Sequence, residues 1–173
     1  MKQIISLLVI AFAISSAIAQ EDFSKRKMSL PSVDLKTLNG KTFNTQDMDN
    51  NEKPIIICFF ATWCKPCMTE LKAISDVYDD WQDETGVKIY AISIDDSRSS
   101  AKVSPLVKGQ NWDYEFLLDE NSDFKRAMNV NDIPHTFVLN KNKEIVWQHT
   151  SYSPGAEQEY INIVRKLIAE PNK

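Results

Sequence analysis

The chain is poor in the residues that staple or metallate a small domain. It has three cysteines in 173 residues, and all of them, Cys58, Cys64 and Cys67, lie between positions 58 and 67. An odd count packed so closely is no disulfide framework, because it leaves nothing to tie down the rest of the chain. Histidine is nearly absent, with only His135 and His149. A single C-x-x-C pair with no second pair falls short of the four ligands of a structural zinc site unless both histidines join it. Positive charge is not in excess: the net charge of −4 excludes nucleic acid as a main partner, since phosphate binding needs a basic surface. Repeats and low-complexity tracts are missing. So is any comfortable membrane span, because the longest apolar run, Ile4 to Ile14, is short and broken by Ser6.

Hydrophobic content of 43% with 25% charged residues fits one ordinary globular domain, long enough to bury a core without disulfides. Lys2, the apolar run and Ala17-Ile18-Ala19 together read as a signal peptide over residues 1–19, cleaved before Gln20. No cysteine stands at that cleavage point, so no lipid anchor is expected there. Residues 20–32 read as a polar linker and 33–173 as the folded domain. Export would place the mature protein in an oxidising compartment, here a bacterial periplasm.

Within the domain, Asn39-Gly40 between short apolar stretches predicts a hairpin over Val33 to Thr45. Ile55 to Phe60 is a continuous apolar run, expected as a strand buried on both faces. Met68, Leu71, Ile74, Val77, Tyr78 and Trp81 form one apolar stripe, which predicts a single helix from Cys64 to Asp83 ended by Gly86. A second buried strand follows over Val87 to Asp95, then a weaker helix over Ser97 to Gln110 interrupted by Pro105. Next come a short strand over Tyr114 to Leu118 and a short helix over Asn121 to Met128 capped by Asn121 or Ser122. A hairpin over Thr136 to Asn140 and Glu144 to His149 turns through Lys141-Asn142-Lys143, with Asn142 where a glycine is common, a place asparagine tolerates. An amphipathic helix over Ala156 to Ala169 closes the chain. This order predicts an α/β domain: a central mixed sheet flanked by helices, with an N-terminal β-hairpin extension.

The chemistry concentrates at Trp63-Cys64-Lys65-Pro66-Cys67. Two cysteines two residues apart, where a buried strand meets a helix, bring both sulfurs onto one turn. The helix N-terminus offers free N–H donors and partial positive charge, which stabilise a thiolate at the first position. Cys64 is thus the candidate nucleophile and Cys67 the resolving thiol. Pro66 suits the first helical turn. Lys65 is either a cation tuning the thiolate or a plain exposed lysine. Trp63 is either a shield or docking face for the sulfurs or merely a corner residue.

Phe59-Phe60-Ala61-Thr62-Trp63-Cys64-Lys65-Pro66-Cys67 resembles the active-site segment of thioredoxins, and most of all that of exported TlpA/ResA-like thiol–disulfide oxidoreductases. Ile133-Pro134-His135-Thr136 resembles the family's cis-proline stretch. The resemblance implies a thioredoxin-like fold and a cis Ile133–Pro134 bond against the cysteine pair. It also implies a substrate chain paired along Ile133 and Pro134, with Trp63 and Pro66 completing the docking face. Glu70 matches a glutamate that ResA-like proteins carry near the site; heading the apolar stripe below Cys67, it is either a half-buried candidate proton acceptor or an exposed glutamate favoured by the helix dipole.

Two departures stand out. Cys58 occupies the place of the thioredoxins' buried acid, and His135 stands where threonine is common. Cys58 reads as a small core residue, with a third redox partner as the alternative. His135 is either near the sulfurs, titrating near neutrality or joining Cys64 and Cys67 as a soft-metal ligand, or a solvent-facing loop histidine.

The leading function is an exported enzyme without cofactor, a monomer that reduces disulfides of client proteins and is recharged by a membrane thiol-relay protein. The alternatives are Cu(I) binding or delivery by Cys64, Cys67 and His135, and peroxidase activity on the same fold.

Overall fold

The structure is a computed structural model that describes residues 28–169. The expected signal peptide and most of the expected linker lie outside the described residues. The strands are β1 (Met28–Ser29), β2 (Asp34–Thr37), β3 (Thr42–Asn44), β4 (Ile55–Phe60), β5 (Lys88–Ser93), β6 (Glu115–Leu118), β7 (His135–Leu139) and β8 (Glu144–Thr150). The helices are α1 (Lys65–Ser75), α2 (Tyr78–Thr85), α3 (Val103–Gln110), α4 (Asp123–Ala127) and α5 (Glu157–Ala169). All the strands join one mixed sheet in the order β1-β8-β7-β4-β5-β6-β2-β3. The β4–β5 and β5–β6 pairs are parallel, and the others are antiparallel.

Strand β4 is central and wholly buried, which is why its sequence runs apolar without alternation. Ile56, Cys58 and Phe60 face one core with Leu71, Ile74, Trp81 and Tyr160 from the helices. Ile55, Ile57 and Phe59 face a second core with Phe124, Phe137 and Leu35. Each of these large side chains contributes about 1.5–3 kcal/mol by leaving water, so both faces of β4 anchor the fold. The expected N-terminal hairpin is present, with Leu35 opposite Phe43. Its turn places Gly40 at φ 79°, a region open to glycine.

Several sequence expectations need correction. The helix expected over Cys64 to Asp83 is two helices, broken at Asp76 and Val77, where Val77 takes φ −130° and ψ 3°. The apolar stripe runs on through the break, so periodicity alone does not reveal it. Pro105 does not interrupt its helix. It lies in the first turn of α3, where its missing N–H does no harm, and a 3-10 turn over Ser100–Lys102 precedes it.

Ser122 stands at the N-cap of α4, as one of the two expected candidates, but its side chain does not do the capping. Ser122 is left-handed with no side-chain capping bond, and the Asp119 carboxylate accepts instead from Phe124 N and Lys125 N at 3.2 and 2.8 Å. In the second hairpin the positive φ falls on Lys143, at 61°, because Asn140 Oδ1 accepts from the N–H groups of Asn142 and Glu144 and closes the turn early. The expected linker also ends inside the fold: β1 pairs with β8, and Leu30 is buried.

Candidate active site

The chain leaves β4 through Ala61, Thr62 and Trp63 and enters α1 at its N-cap, Cys64. Cys64 has extended backbone angles, and its Sγ accepts from Cys67 N at 3.3 Å. The sulfur therefore does what a serine or aspartate oxygen does at an ordinary N-cap: it answers an orphan donor of the first turn. The same contact would stabilise negative charge there once the sulfur is reduced. Pro66 occupies the first turn. Cys64 and Cys67 are joined by a disulfide, with Cα atoms 5.3 Å apart. Cys64 is 5% exposed and Cys67 is fully buried, so the first cysteine is the more accessible of the two. Trp63 beside them is 68% exposed, an open apolar surface next to the disulfide. Lys65 is exposed as well.

An acid that sequence reasoning passed over holds this corner. Asp95, fully buried just beyond β5, accepts from Thr62 N at 2.8 Å, Thr62 Oγ1 at 2.6 Å and Ser93 Oγ at 2.8 Å. It ties the strand-to-helix loop to the neighbouring strand. The signal available was an acid ending the apolar run Ile92-Ser93-Ile94-Asp95, which is a faint one.

Beneath the cysteines lies a buried polar group. Glu70 is 1% exposed, on the same face of α1 as Cys67 and one turn on, a spacing that brings Cβ atoms to about 5–6 Å. Its Oε1 accepts from Thr136 Oγ1 at 2.8 Å and from the Tyr160 hydroxyl at 2.7 Å. Its Oε2 is buried without a hydrogen-bond partner among the described residues. Burial pushes the Glu70 carboxyl up from 4.5 to about 7, against the lowering pull of the Tyr160 and Thr136 hydroxyls.

Thr136 stands opposite Cys58 in the β4–β7 ladder, with its hydroxyl 3.7 Å from Cys58 Sγ. Cys58 is wholly buried as a core residue, and its thiol is pushed well up by burial and by Glu70. Sequence reasoning placed Glu70 here but missed Thr136 and Tyr160. A tyrosine on the buried stripe of a helix was the usable signal, since a buried phenol seeks a partner.

The Ile133–Pro134 bond is cis, and Pro134 is buried immediately before β7, at the end of the sheet where β4 gives way to the cysteine loop. Its carbonyl accepts from Ser151 N at 2.8 Å. His135 does not join the sulfurs. Alternation along β7 turns it to the face opposite Thr136, where its ring lies 4.5 Å from that of Phe137. Nδ1 meets Thr150 Oγ1 at 2.9 Å and Nε2 meets Gln148 Oε1 at 3.2 Å, and burial lowers its proton affinity. The alternative metal set of Cys64, Cys67 and His135 is thus split across the sheet. Among the described residues no group of three or more histidine, cysteine or acidic side chains is placed to hold a metal ion.

Comparison with known proteins agrees with this geometry. The AhpC/TSA family matches residues 27–148. The thiol–disulfide oxidoreductase ResA of Bacillus cereus is 26% identical over 149 residues, covering 83% of each chain. ResA of Bacillus subtilis is 25% identical over 136 residues, covering 78% of this chain and 73% of its own. Among solved structures, a thioredoxin-like protein from Porphyromonas gingivalis is 54% identical with a TM-score of 0.74, covering 83% of this chain and 94% of the other. StoA from Bacillus subtilis shares the fold at 20% identity with a TM-score of 0.60, covering 77% of this chain and 97% of its own. The chain belongs to the AhpC/TSA family and is a thiol–disulfide oxidoreductase of thioredoxin-like fold, similar to the ResA proteins.

Proposed function

We propose that this chain is an exported reductase of protein disulfides, with Cys64 as nucleophile, Cys67 as resolving thiol and Glu70 as proton acceptor. The observation that carries the reading is the capping geometry: Cys64, the less buried residue of the pair, places its sulfur at a helix N-terminus, with its partner one turn inside and a buried carboxyl below.

In the reduced protein the Cys64 thiolate attacks one sulfur of a client disulfide. A bond forms between Cys64 and that sulfur, the client S–S bond breaks, and the second client sulfur leaves as a thiolate. Cys67 then loses its proton to Glu70, and the new thiolate attacks Cys64 Sγ. The Cys64–Cys67 bond forms, the mixed disulfide breaks, and the first client sulfur leaves with its electron pair. Two electrons have passed to the client, and the protein is left oxidised. Trp63, Pro66, Ile133 and Pro134 form the docking face, the client backbone pairing beside Ile133 as an added strand. Residues 1–19 act as a cleaved signal peptide, and a membrane thiol-relay protein returns the two electrons.

Insulin reduction in the presence of dithiothreitol tests the core of this. The protein lacking residues 1–19 is expected to accelerate it, and Cys64→Ala to abolish the acceleration. Cys67→Ala is expected to hold clients as mixed disulfides on Cys64. Full activity in Cys64→Ala would refute the assignment.

A further inference from the structure

Tyr160 is fully buried on α5, far along the chain from the cysteines, yet its hydroxyl donates to the same carboxylate oxygen that Thr136 occupies. A carboxylate oxygen has two lone pairs in its plane. On Glu70 Oε1 both are taken by O–H donors, at 2.7 and 2.8 Å. A proton placed on that oxygen would meet two donors already aimed at it. Oε2, buried and without a partner among the described residues, has no such competitor. We propose that Tyr160, together with Thr136, is a positioning residue of the exchange reaction: the two hydroxyls fix the Glu70 carboxyl so that Oε2 is the atom that takes the proton of Cys67 and gives it back.

This rests on the reading of Glu70 as proton acceptor. The step balances simply. The Cys67 S–H bond breaks and an Oε2–H bond forms, and the Cys67 electron pair makes the bond to Cys64 Sγ. The departing client sulfur keeps the pair of the broken mixed disulfide, and the proton on Oε2 is returned to it or to water.

The titratable and charged groups around Glu70 come from every neighbouring element. Cys67 shares its own helix, and Cys58 faces it from β4. Tyr160 and the more distant Glu157 face it from α5, and Tyr152 from the loop before that helix. Of these, only Tyr160 gives the carboxylate a hydrogen bond, with the uncharged Thr136 adding the second. Donated bonds favour the ionised acceptor, so the two hydroxyls also set the pH at which Glu70 becomes a base.

The test is the pH profile of mixed-disulfide resolution, followed by stopped flow in the protein lacking residues 1–19. Tyr160→Phe keeps the ring against Trp147, 5.3 Å away, and removes only the hydroxyl. It is expected to move the midpoint of the base-dependent limb up by about one pH unit while the rate recovers at high pH. Thr136→Val is expected to shift it in the same direction. Glu70→Gln is expected to remove the limb.

If Glu70→Gln removes the limb but Tyr160→Phe leaves the midpoint in place, or lowers the rate equally at every pH, the positioning role is overturned and the acceptor stands. If Glu70→Gln keeps the limb, both fall. Carbon-13 titration of the Glu70 carboxyl in oxidised protein gives a readout free of turnover. Its midpoint is expected to rise in Tyr160→Phe, and an unchanged midpoint overturns the proposal.

Discussion

Glu70 keeps a carboxyl where charge is costly, and the cost has a sign. Its carboxyl is raised from 4.5 to about 7 in the folded protein, so the fold holds this proton more tightly than the unfolded chain does. Stability from the group is therefore full below about pH 4.5 and is lost as pH rises through about 7. At about 1.36 kcal/mol per pH unit the loss is roughly 3 kcal/mol. Urea unfolding at several pH values is expected to show stability falling across this window, and Glu70→Gln to flatten that fall.

Asp95 presents the opposite case, a buried acid whose bonds are all used. Asp95→Ala would strand the Thr62 N–H, the Thr62 hydroxyl and the Ser93 hydroxyl. It is expected to cost about 3 kcal/mol in urea unfolding and to slow insulin reduction as well, since the loop it holds carries Cys64.

At the scale of elements, what was legible followed the strength of local signals. Ile55 to Phe60 is found as a strand with the expected bounds, because six consecutive apolar β-formers allow little else. The Cys64–Cys67 corner also followed from spacing, whereas Glu70 came from the family resemblance, its place on the helix stripe leaving burial and exposure equally open. What failed was settled by contacts from elsewhere in the chain. The break between α1 and α2 lets the Tyr78 hydroxyl accept from Ile89 N at 3.3 Å, while the Tyr114 hydroxyl takes the Leu71 carbonyl at 2.7 Å. Neither partner is visible from within residues 64–83. The place of His135 stayed open for a similar reason: which face it takes depends on the register that sets Thr136 opposite Cys58.

Gly86, by contrast, ends its helix as expected, left-handed at φ 64°. A Cβ there would be strained and would run into the Lys53 side chain. Gly86→Ala is expected to cost about 1 kcal/mol in urea unfolding.

Across the whole molecule, stability and chemistry are drawn from different sources. The sheet is packed on both faces, and Ile94 and Ile133, just outside β5 and β7, pack against both cores. The Cys64–Cys67 bond closes a loop between residues three apart, and Cys58, the remaining cysteine, is free and buried. Closure of so short a loop restricts the unfolded chain by only about 2 kcal/mol. Thermal unfolding followed by circular dichroism is expected to stay cooperative on adding dithiothreitol, with a fall in Tm of roughly 4–8 °C. A cross-link that braces so little can be opened and remade at every turnover. Electrons come and go through a clasp, while the frame around it keeps the shape that the next client must meet.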